Sequence, residues 1–318
     1  MPNFSTRITF RSSRKGTSAN IKRKTERVRV HLCGTRGSTS APGSEFVRYG
    51  GHTSCVAIAP DTDGSGSGVP EPMLLLDAGT GIRRVSSLLA NRPFVGTILL
   101  THLHWDHVEG IPFFASGDRD GAQVRLFLPP QDDGADAESV LARMMSPPLF
   151  PIRPGELRGQ WTFDVLPPEA FSATGMAVGR LNVVAREVPH KGGRTVGYRV
   201  TDGHSTVGYI PDHCPTVIGP GPDGWGAYHP AALELAQDVD VLFHDAQLVS
   251  EELADQAFFG HAAADYAVEL GRRAGAHKVV LFHHRPDRTD DAVDHMVSRF
   301  SLSSIDVVAA AEATVFVL

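Results

Sequence analysis

Several features are scarce in this sequence of 318 residues, and each scarcity excludes a class of protein. There are only three cysteines, Cys33, Cys55 and Cys214, and an odd, sparse set does not build a disulfide framework. No apolar run approaches the roughly 18 residues that a transmembrane helix requires. The first residues also contain no apolar segment of the kind found in a secretory signal. We therefore expect a protein of a reducing compartment, with a cytoplasmic localisation and no contact with a membrane.

Charge is unevenly distributed along the chain. Residues 1–27 contain eight Lys or Arg and one acidic residue, whereas residues 28–318 contain 22 basic and 35 acidic residues, a net charge of −13. We interpret residues 1–27 as a basic, disordered N-terminal arm and residues 28–318 as a single domain. An arm that binds nucleic acid is the alternative. The acidic body disfavours a long nucleic acid as substrate, because contacts to phosphates dominate such binding.

Histidine is abundant, with 15 residues, and three of them lie in one short segment. Residues 96–100 are an apolar run that predicts a buried strand, and His102, His104, Asp106 and His107 follow directly. The first two histidines would project to the same side of an extended backbone. Imidazole nitrogen and carboxylate oxygen are ligands of zinc and of harder divalent ions. The segment therefore predicts a metal site where a strand ends.

Later segments that resemble strands end in residues of the same types. They supply Asp77, His190, Asp212, the pair His244 and Asp245, and the pair His283 and His284. Gly260 and His261 precede apolar residues at helical spacing, which predicts a helix that begins at Gly260. Residues 108–115 are predicted as a helix behind the histidine cluster. Residues 161–166 and 181–188 are predicted as strands of a second sheet.

The HxHxDH pattern after an apolar strand resembles the signature of the metallo-β-lactamase superfamily, and the resemblance covers residues 28–318. It implies an α/β fold of the four-layered αββα sandwich type. It also implies the metal ligands: His102, His104 and His190 for one ion, Asp106, His107 and His283 for a second, and Asp212 as a bridge between them. His284 is the alternative to His283. Asp77 matches the aspartate that orients histidines through hydrogen bonds in this family.

The resemblance implies two divalent metal ions and a hydrolytic reaction. Zinc is the expected ion, and mixed oxygen and nitrogen ligands leave manganese or iron open. Two such ions can share a water molecule and lower its pKa, so that a metal-bound hydroxide attacks the substrate. The HxHxDH pattern does not by itself distinguish phosphodiesterases and nucleases from lactonases, thioesterases, β-lactamases and sulfatases of the superfamily.

Two further resemblances favour a phosphodiester as the substrate. The segments GTRGS at residues 34–38 and YGGHTSCV at residues 49–56 resemble the N-terminal part of phosphodiesterase-like members, although His52 replaces their usual Asn. His244-Asp245-Ala246 and Gly260-His261 resemble segments of ribonuclease Z that lie next to the leaving group. The implied catalytic residues are Asp106, His261 as general acid, and Asp245.

The spacing of two ligands argues against processing of transfer RNA. Ribonuclease Z carries a long RNA-binding arm between its third and fourth motifs, where this chain has only the 22 residues from His190 to Asp212. We therefore predict a small phosphodiester or a cyclic nucleotide as substrate, and a homodimer as in relatives. A lactonase or thioesterase on the same scaffold, or an RNA-processing nuclease, is the alternative. Phe150, in a proline-rich segment, is predicted to line the pocket mouth.

Overall fold

The computed structural model describes residues 7–9, 28–60 and 71–318. Apart from residues 7–9, the predicted disordered arm lies outside the described residues. No helix within the described ranges is long and apolar enough to cross a bilayer. The three cysteines are buried and unpaired.

Fifteen strands and seven α-helices occur in the described part of the chain. The strands are β1 (Arg7–Thr9), β2 (Val28–Gly34), β3 (Cys55–Pro60), β4 (Leu74–Leu76), β5 (Val95–Leu99), β6 (Gln123–Leu128), β7 (Gln160–Val165), β8 (Met176–Val178), β9 (Leu181–Glu187), β10 (Val196–Thr201), β11 (Thr206–Ile210), β12 (Val241–Asp245), β13 (Lys278–Phe282), β14 (Asp306–Ala309) and β15 (Val315–Val317). The helices are α1 (Ile82–Leu88), α2 (Trp105–Val108), α3 (Ala137–Ala142), α4 (Pro230–Ala236), α5 (Leu253–Gln256), α6 (Ala264–Ala274) and α7 (Asp290–Ser298).

The strands form two sheets of mixed direction. One has the order β1-β15-β2-β3-β4-β5-β6-β7, and the other has the order β14-β13-β12-β11-β10-β9-β8. A core of apolar side chains from both sheets, including Val56, Tyr198 and Phe243, lies between them. Helix α1 covers the outer face of the first sheet, and α4, α6 and α7 cover the outer face of the second. This arrangement confirms the predicted αββα sandwich.

Parallel pairing brings the carboxyl ends of five strands to one edge of the sandwich. Strands β4 and β5 are parallel in the first sheet, and β11, β12 and β13 are parallel in the second. The residues at or just beyond these ends are Asp77, His102, Asp212, Asp245 and His283. Polar side chains from distant parts of the sequence are thus collected at a single edge, because parallel strands all end on the same side.

The assignment of residues 161–166 to the second sheet is wrong. Strand β7 pairs in parallel with β6 and is the last strand of the first sheet. The connection between the two strands contains α3, as a parallel pair needs a crossover that is usually helical. The apolar pattern of residues 161–166 predicted a strand correctly. The neighbouring strand with which β7 pairs, however, is decided by the crossover from β6 and not by this pattern.

Two predicted helices have different bounds in the structure. The helix predicted over residues 108–115 is wrong: α2 ends at Val108, and only a short 3₁₀ turn follows over Ile111–Phe113. Pro112 lies in that turn, and its ring and missing N–H prevent an α-helix from continuing. The helix predicted from Gly260 begins at Ala264, because Gly260 has a φ of 94° in the left-handed region.

The burial of His31 in β2 predicts that the stability of the fold depends on pH. It is only 8% exposed, and neither ring nitrogen has a hydrogen-bond partner. Burial, aided by the charge of Arg29, lowers its pKa from 6.5 to about 4. Below pH 6.5 the unfolded chain therefore binds a proton that the folded chain does not, and stability falls as the pH drops towards 4.

The free energy of unfolding should fall between neutral pH and pH 4. We expect His31→Leu to make this fall smaller by about 2 kcal/mol. Urea unfolding of both proteins at neutral pH and near pH 4 measures the change in the free energy of unfolding. Because other groups titrate as well, the informative quantity is the difference between the two pH dependences. Identical dependences would contradict the assignment.

Candidate metal centre

All seven predicted metal ligands converge in one cluster at the edge described above. The ligand atoms of His102, His104, His190 and Asp212 lie within 4.8 Å of one another. Those of Asp106, His107 and His283 form a second group with the same spacing. These are the two groups that the sequence pattern implied, with Asp212 in the first. Their role as ligands stays a prediction.

Asp212 lies between the two groups. Its Oδ2 is 3.0 Å from Nε2 of His107 and 3.3 Å from Nε2 of His283. Its Oδ1 is 3.5 Å from Nε2 of His190 and 3.9 Å from Nε2 of His102. One oxygen therefore faces each group, which is the geometry expected of a bridging carboxylate.

The unpaired polar atoms of the cluster fit divalent cations. Both carboxylate oxygens of Asp212 and Nε2 of His102 are buried without a hydrogen-bond partner. Nε2 of His190 lies 3.2 Å from Nδ1 of His104, so two ring nitrogens face each other. Leaving a buried polar atom unpaired costs roughly 1–3 kcal/mol. Cations bound between these atoms would remove that cost, and imidazole with carboxylate is a suitable set of ligands.

Burial and charge favour the metal-binding protonation states of His190, His102 and Asp106, whereas Asp106 and Asp212 overcome the effect of burial and raise the pKa of His107 well above its usual value. Burial, opposed by Asp212, lowers the pKa of His190 to about 4. Burial and the neighbouring His107 lower the pKa of His102 well below its usual value. Although burial opposes ionisation of Asp106, His107 holds the pKa of this carboxyl well below its usual range. Neutral imidazoles and charged carboxylates are the forms that coordinate cations.

Asp77 has the orienting contacts predicted for it. Its Oδ2 accepts a hydrogen bond of 2.8 Å from Nδ1 of His107. The backbone N–H of Thr101 donates to Oδ1 at 2.7 Å, and the hydroxyl of Tyr209 donates to Oδ2 at 2.9 Å. With Nδ1 of His107 bound to Asp77, Nε2 of this ring points into the cluster. The bond from Tyr209 in β11 also connects Asp77, at the end of β4, to the second sheet. The sequence pattern did not identify Thr101 or Tyr209, since neither is a metal-binding residue type.

The structure distinguishes His283 from its neighbour His284. The ring of His283 is in the cluster, with Nε2 3.0 Å from Oδ2 of Asp106. Nε2 of His284 instead donates to the carbonyl oxygen of Ala310 at 2.9 Å. His52, which replaces the usual Asn, bonds the carboxylate of Glu312 and belongs to neither group.

His261 and Asp245 form a hydrogen-bonded pair beside the cluster. Nδ1 of His261 donates to Oδ2 of Asp245 at 3.0 Å and lies 3.6 Å from Oδ1 of Asp212. The same Asp245 oxygen accepts from the backbone N–H groups of His213 and Ala262. Although burial opposes protonation, Asp245 and Asp212 raise the pKa of His261 above its usual value. The structure therefore brings together His261 and Asp245, which the resemblance to ribonuclease Z implied as catalytic residues.

The glycine-rich loop after β2 packs directly on the cluster. A Cβ at Gly37 would lie 2.3 Å from the ring of His283, so only glycine fits. Ser38 follows with a φ of 64°, and its backbone N–H donates to Oδ2 of Asp106 at 2.7 Å. Its hydroxyl accepts a hydrogen bond from Nε2 of Gln247. Sequence reasoning missed Ser38 and Gln247 because they become neighbours only in the fold.

Two cavities open beside the cluster. One, of about 390 Å³, is lined by Ser38, Leu103, His104, Trp105, Asp106, Asp212, Phe259 and His261. The other, of about 540 Å³, is lined by His190, Lys191, Cys214, Thr216, Val217, Ala257, Phe258 and Gly260. The position predicted for Phe150 is wrong: its ring packs against Phe113, and it lines neither cavity.

Comparisons with known proteins agree with this fold and cluster. Residues 73–284 match the family model of the Beta-lactamase superfamily domain. Ribonuclease Z of Salinibacter ruber is 25% identical over 280 residues, which cover 74% of this chain and 83% of that protein.

Among solved structures, the metallo-β-lactamase fold protein YhfI from Bacillus subtilis is similar, with a TM-score of 0.63 and 17% sequence identity. The match covers 92% of this chain and 100% of YhfI. A diphosphatase from the PhnP family has a TM-score of 0.60 at 15% identity, with coverage of 91% and 97%. Because the family model spans more than half of the sequence, this chain belongs to the metallo-β-lactamase superfamily and is a hydrolase of that superfamily.

Proposed function

We propose that this protein is a dinuclear metal-dependent phosphodiesterase that acts on a small or cyclic phosphodiester, such as a cyclic nucleotide. The observation that carries the proposal is the pair of His261 and Asp245 in contact with Asp212 at the cluster. A phosphodiester with a poor leaving group needs a proton donor on the leaving oxygen as well as an activated water. The relative named ribonuclease Z supports a phosphodiester as the bond that is cleaved.

The proposed cofactor is a pair of divalent ions, with zinc expected and manganese or iron as alternatives. The first would be held by His102, His104 and His190, the second by Asp106, His107 and His283, and both by Asp212. When bound, such ions supply Lewis acidity and a water of lowered pKa. Asp77 would hold the ring of His107 in position, as its hydrogen bond of 2.8 Å does in the structure.

His261 is the proposed general acid. Its Nδ1 is engaged by Asp245, so Nε2 is the nitrogen available to a substrate in the cavity that His261 lines. A protonated imidazole at this place can donate to the leaving oxygen. Asp245 is fully buried and acts through His261 as a positioning residue. Three backbone N–H donors, those of His213, Ala262 and Gln247, fix the carboxylate, which in turn fixes the imidazole.

The connection between His190 and Asp212 supports a small substrate. It consists of β10, β11 and short turns, and the two strands pair as an antiparallel hairpin. This interval contains no extended arm that could bind a long RNA. An RNA-processing nuclease remains the alternative function, because the ribonuclease Z relative matches most of the chain.

Location and assembly are also proposed. Three unpaired, buried cysteines are typical of a reducing compartment, which supports the cytoplasm. The homodimer stays a prediction that sedimentation of the purified protein would test.

Hydrolysis of bis(p-nitrophenyl) phosphate tests the proposed function. We expect chelator-stripped protein to lose roughly two orders of magnitude or more in turnover and to regain it with zinc or manganese, because the ions supply the nucleophile. Metal analysis should show two ions per chain. Cyclic nucleotides, a precursor transfer RNA, an acyl-lactone and a thioester form the substrate panel.

The outcomes of this panel separate the alternatives. Turnover of RNA at a rate far above that of cyclic nucleotides would select the nuclease. Turnover of a lactone or thioester with none of any phosphodiester would select the other hydrolases. Absence of bound metal after refilling would contradict the ligand assignment itself.

A further inference from the structure

The large aromatic side chains that remain exposed are concentrated at the metal cluster. Among the described residues, four Phe or Trp side chains are exposed, and three of these line the two cavities beside the cluster. They are Trp105 (76% exposed), Phe258 (64%) and Phe259 (54%), and Phe113 is the fourth. Exposed aromatic side chains gathered at a cavity indicate a binding surface, because monomeric proteins rarely leave a contiguous apolar surface exposed to solvent.

Two of these rings share a cavity with the reacting groups. Trp105 and Phe259 line the cavity of about 390 Å³ together with Asp106, Asp212 and His261. A substrate with its phosphate at the cluster therefore has aromatic side chains next to its substituents. This continuity indicates that the occupant of the aromatic surface is part of the substrate.

The turn that carries Phe259 is anchored to a predicted metal ligand. Nδ1 of His190 donates to the carbonyl oxygen of Gly260 at 2.8 Å. Nζ of Lys191 donates to the carbonyl oxygen of Phe258 at 3.1 Å. A Cβ at Gly260 would lie 2.9 Å from Cβ of Lys191, so the turn packs closely on this segment. The same contacts that orient His190 thus hold the aromatic turn in place.

The two phenylalanine rings support each other. The centroids of Phe258 and Phe259 are 4.3 Å apart, and each ring faces a different cavity. Trp105 is the first residue of α2 and lies in sequence between two predicted ligands, which restrains its backbone. The contact between the two phenylalanine rings and the restrained backbone at Trp105 limit the entropy that stacking would cost.

We propose that Trp105 and Phe259 form a stacking subsite for a nucleobase carried by the substrate. The proposal rests on the proposed function for the bond that is cleaved, but recognition of the base can be measured without catalysis. Aromatic side chains bind bases through their π faces and accept different bases, because every base has such a face. A flat ring gains more from these walls than a sugar or an alkyl group of similar area.

Binding of two mononucleotide fragments to the metal-loaded protein tests the subsite. Adenosine 5′-monophosphate and ribose 5-phosphate present the same phosphate and sugar, and only the first has a base. We expect the base to tighten the dissociation constant by roughly tenfold or more in calorimetric titrations. In Phe259→Leu and Trp105→Leu this ratio should fall towards one, and Phe259→Tyr should keep it.

Phe113→Leu is the matched control, since it removes an exposed ring that lines neither cavity. Its ratio should equal that of the parent protein. The metal content of each variant is measured, because Trp105 adjoins two predicted ligands. Equal affinities for the two fragments in the parent protein, or a ratio that persists in both Leu variants, would overturn the proposal.

Turnover provides a second, independent readout. The p-nitrophenyl esters of methyl, cyclohexyl, phenyl and thymidine 5′-phosphate share one leaving group and differ in the second substituent. We expect kcat/KM to be highest for the phenyl and thymidine esters, and this preference should shrink in the Leu variants. Equal kcat/KM values for the cyclohexyl and phenyl esters would indicate an apolar pocket without stacking and would contradict the proposal.

The two proposals fail in distinguishable ways. If no ester is hydrolysed although two ions are bound, the phosphodiesterase is contradicted, and the fragment titrations still decide the subsite. If all esters are hydrolysed without preference, the subsite is contradicted and the phosphodiesterase stands.

Discussion

Asp212→Ala is expected to lower kcat/KM for bis(p-nitrophenyl) phosphate by roughly three orders of magnitude or more and to release at least one metal ion. The reason is geometric: one carboxylate oxygen faces His107 and His283, and the other faces His102 and His190. Metal analysis and steady-state kinetics on refilled protein measure both effects.

Asp212→Asn separates the charge of this side chain from its volume. The amide keeps the shape but presents N–H donors to imidazole nitrogens, so we expect a loss close to that of Asp212→Ala. Asp240→Asn is the control, because Asp240 accepts a hydrogen bond from the backbone of Thr206 at the start of β11, away from the carboxyl ends. An Asp212→Ala protein that holds two ions and turns over normally would contradict the bridging role.

His261→Ala is expected to affect substrates according to their leaving groups. For a cyclic nucleotide, whose alkoxide needs a proton to depart, kcat/KM should fall by roughly 10²- to 10⁴-fold. For bis(p-nitrophenyl) phosphate the fall should be less than about tenfold, because p-nitrophenolate leaves without protonation. Asp245→Asn, which keeps the shape but weakens the hold on Nδ1, should show the same selectivity with a smaller effect.

This experiment also separates a proton donor from a ligand. His261 lies within 4.8 Å of ligand atoms of Asp212 and His283, so its imidazole could itself approach a cation. Equal losses on both substrates together with a lost ion would identify His261 as a ligand and contradict the general-acid role. His277→Gln, a change of a largely exposed histidine just before β13, is the control for the removal of an imidazole.

The ligand groups could be predicted from the sequence because their chemistry is local. Three histidines and an aspartate directly after one apolar strand already provide four of the seven predicted ligands. Resemblance to a known signature implied the other three, His190, Asp212 and His283. Asp77 could be predicted in the same way, as an acid at a strand end before a glycine turn. The alternation of strands and helices suggested two packed sheets with helices outside, and the resemblance to the metallo-β-lactamase superfamily implied the αββα layers.

Other features depended on which elements pack together. His283 and His284 are adjacent residues of the same type, so the sequence does not distinguish their side chains. In the structure His283 has a φ of 60° and its ring faces the cluster, whereas the ring of His284 faces Ala310. The sheet that β7 joins is decided by its crossover from β6. A short apolar pattern predicts a strand without naming its partner.

The sequence alone therefore determined the chemical types at the metal cluster and the order of the strands that carry them, because both are encoded within short segments. The tertiary structure decided which side chains surround the substrate. Ser38 meets Asp106, His261 meets Asp245, and Trp105 shares a cavity with Phe259. These residues lie at the carboxyl ends of strands or in the connections that follow them, and the alignment of the strands within and between the two sheets brings them within contact distance.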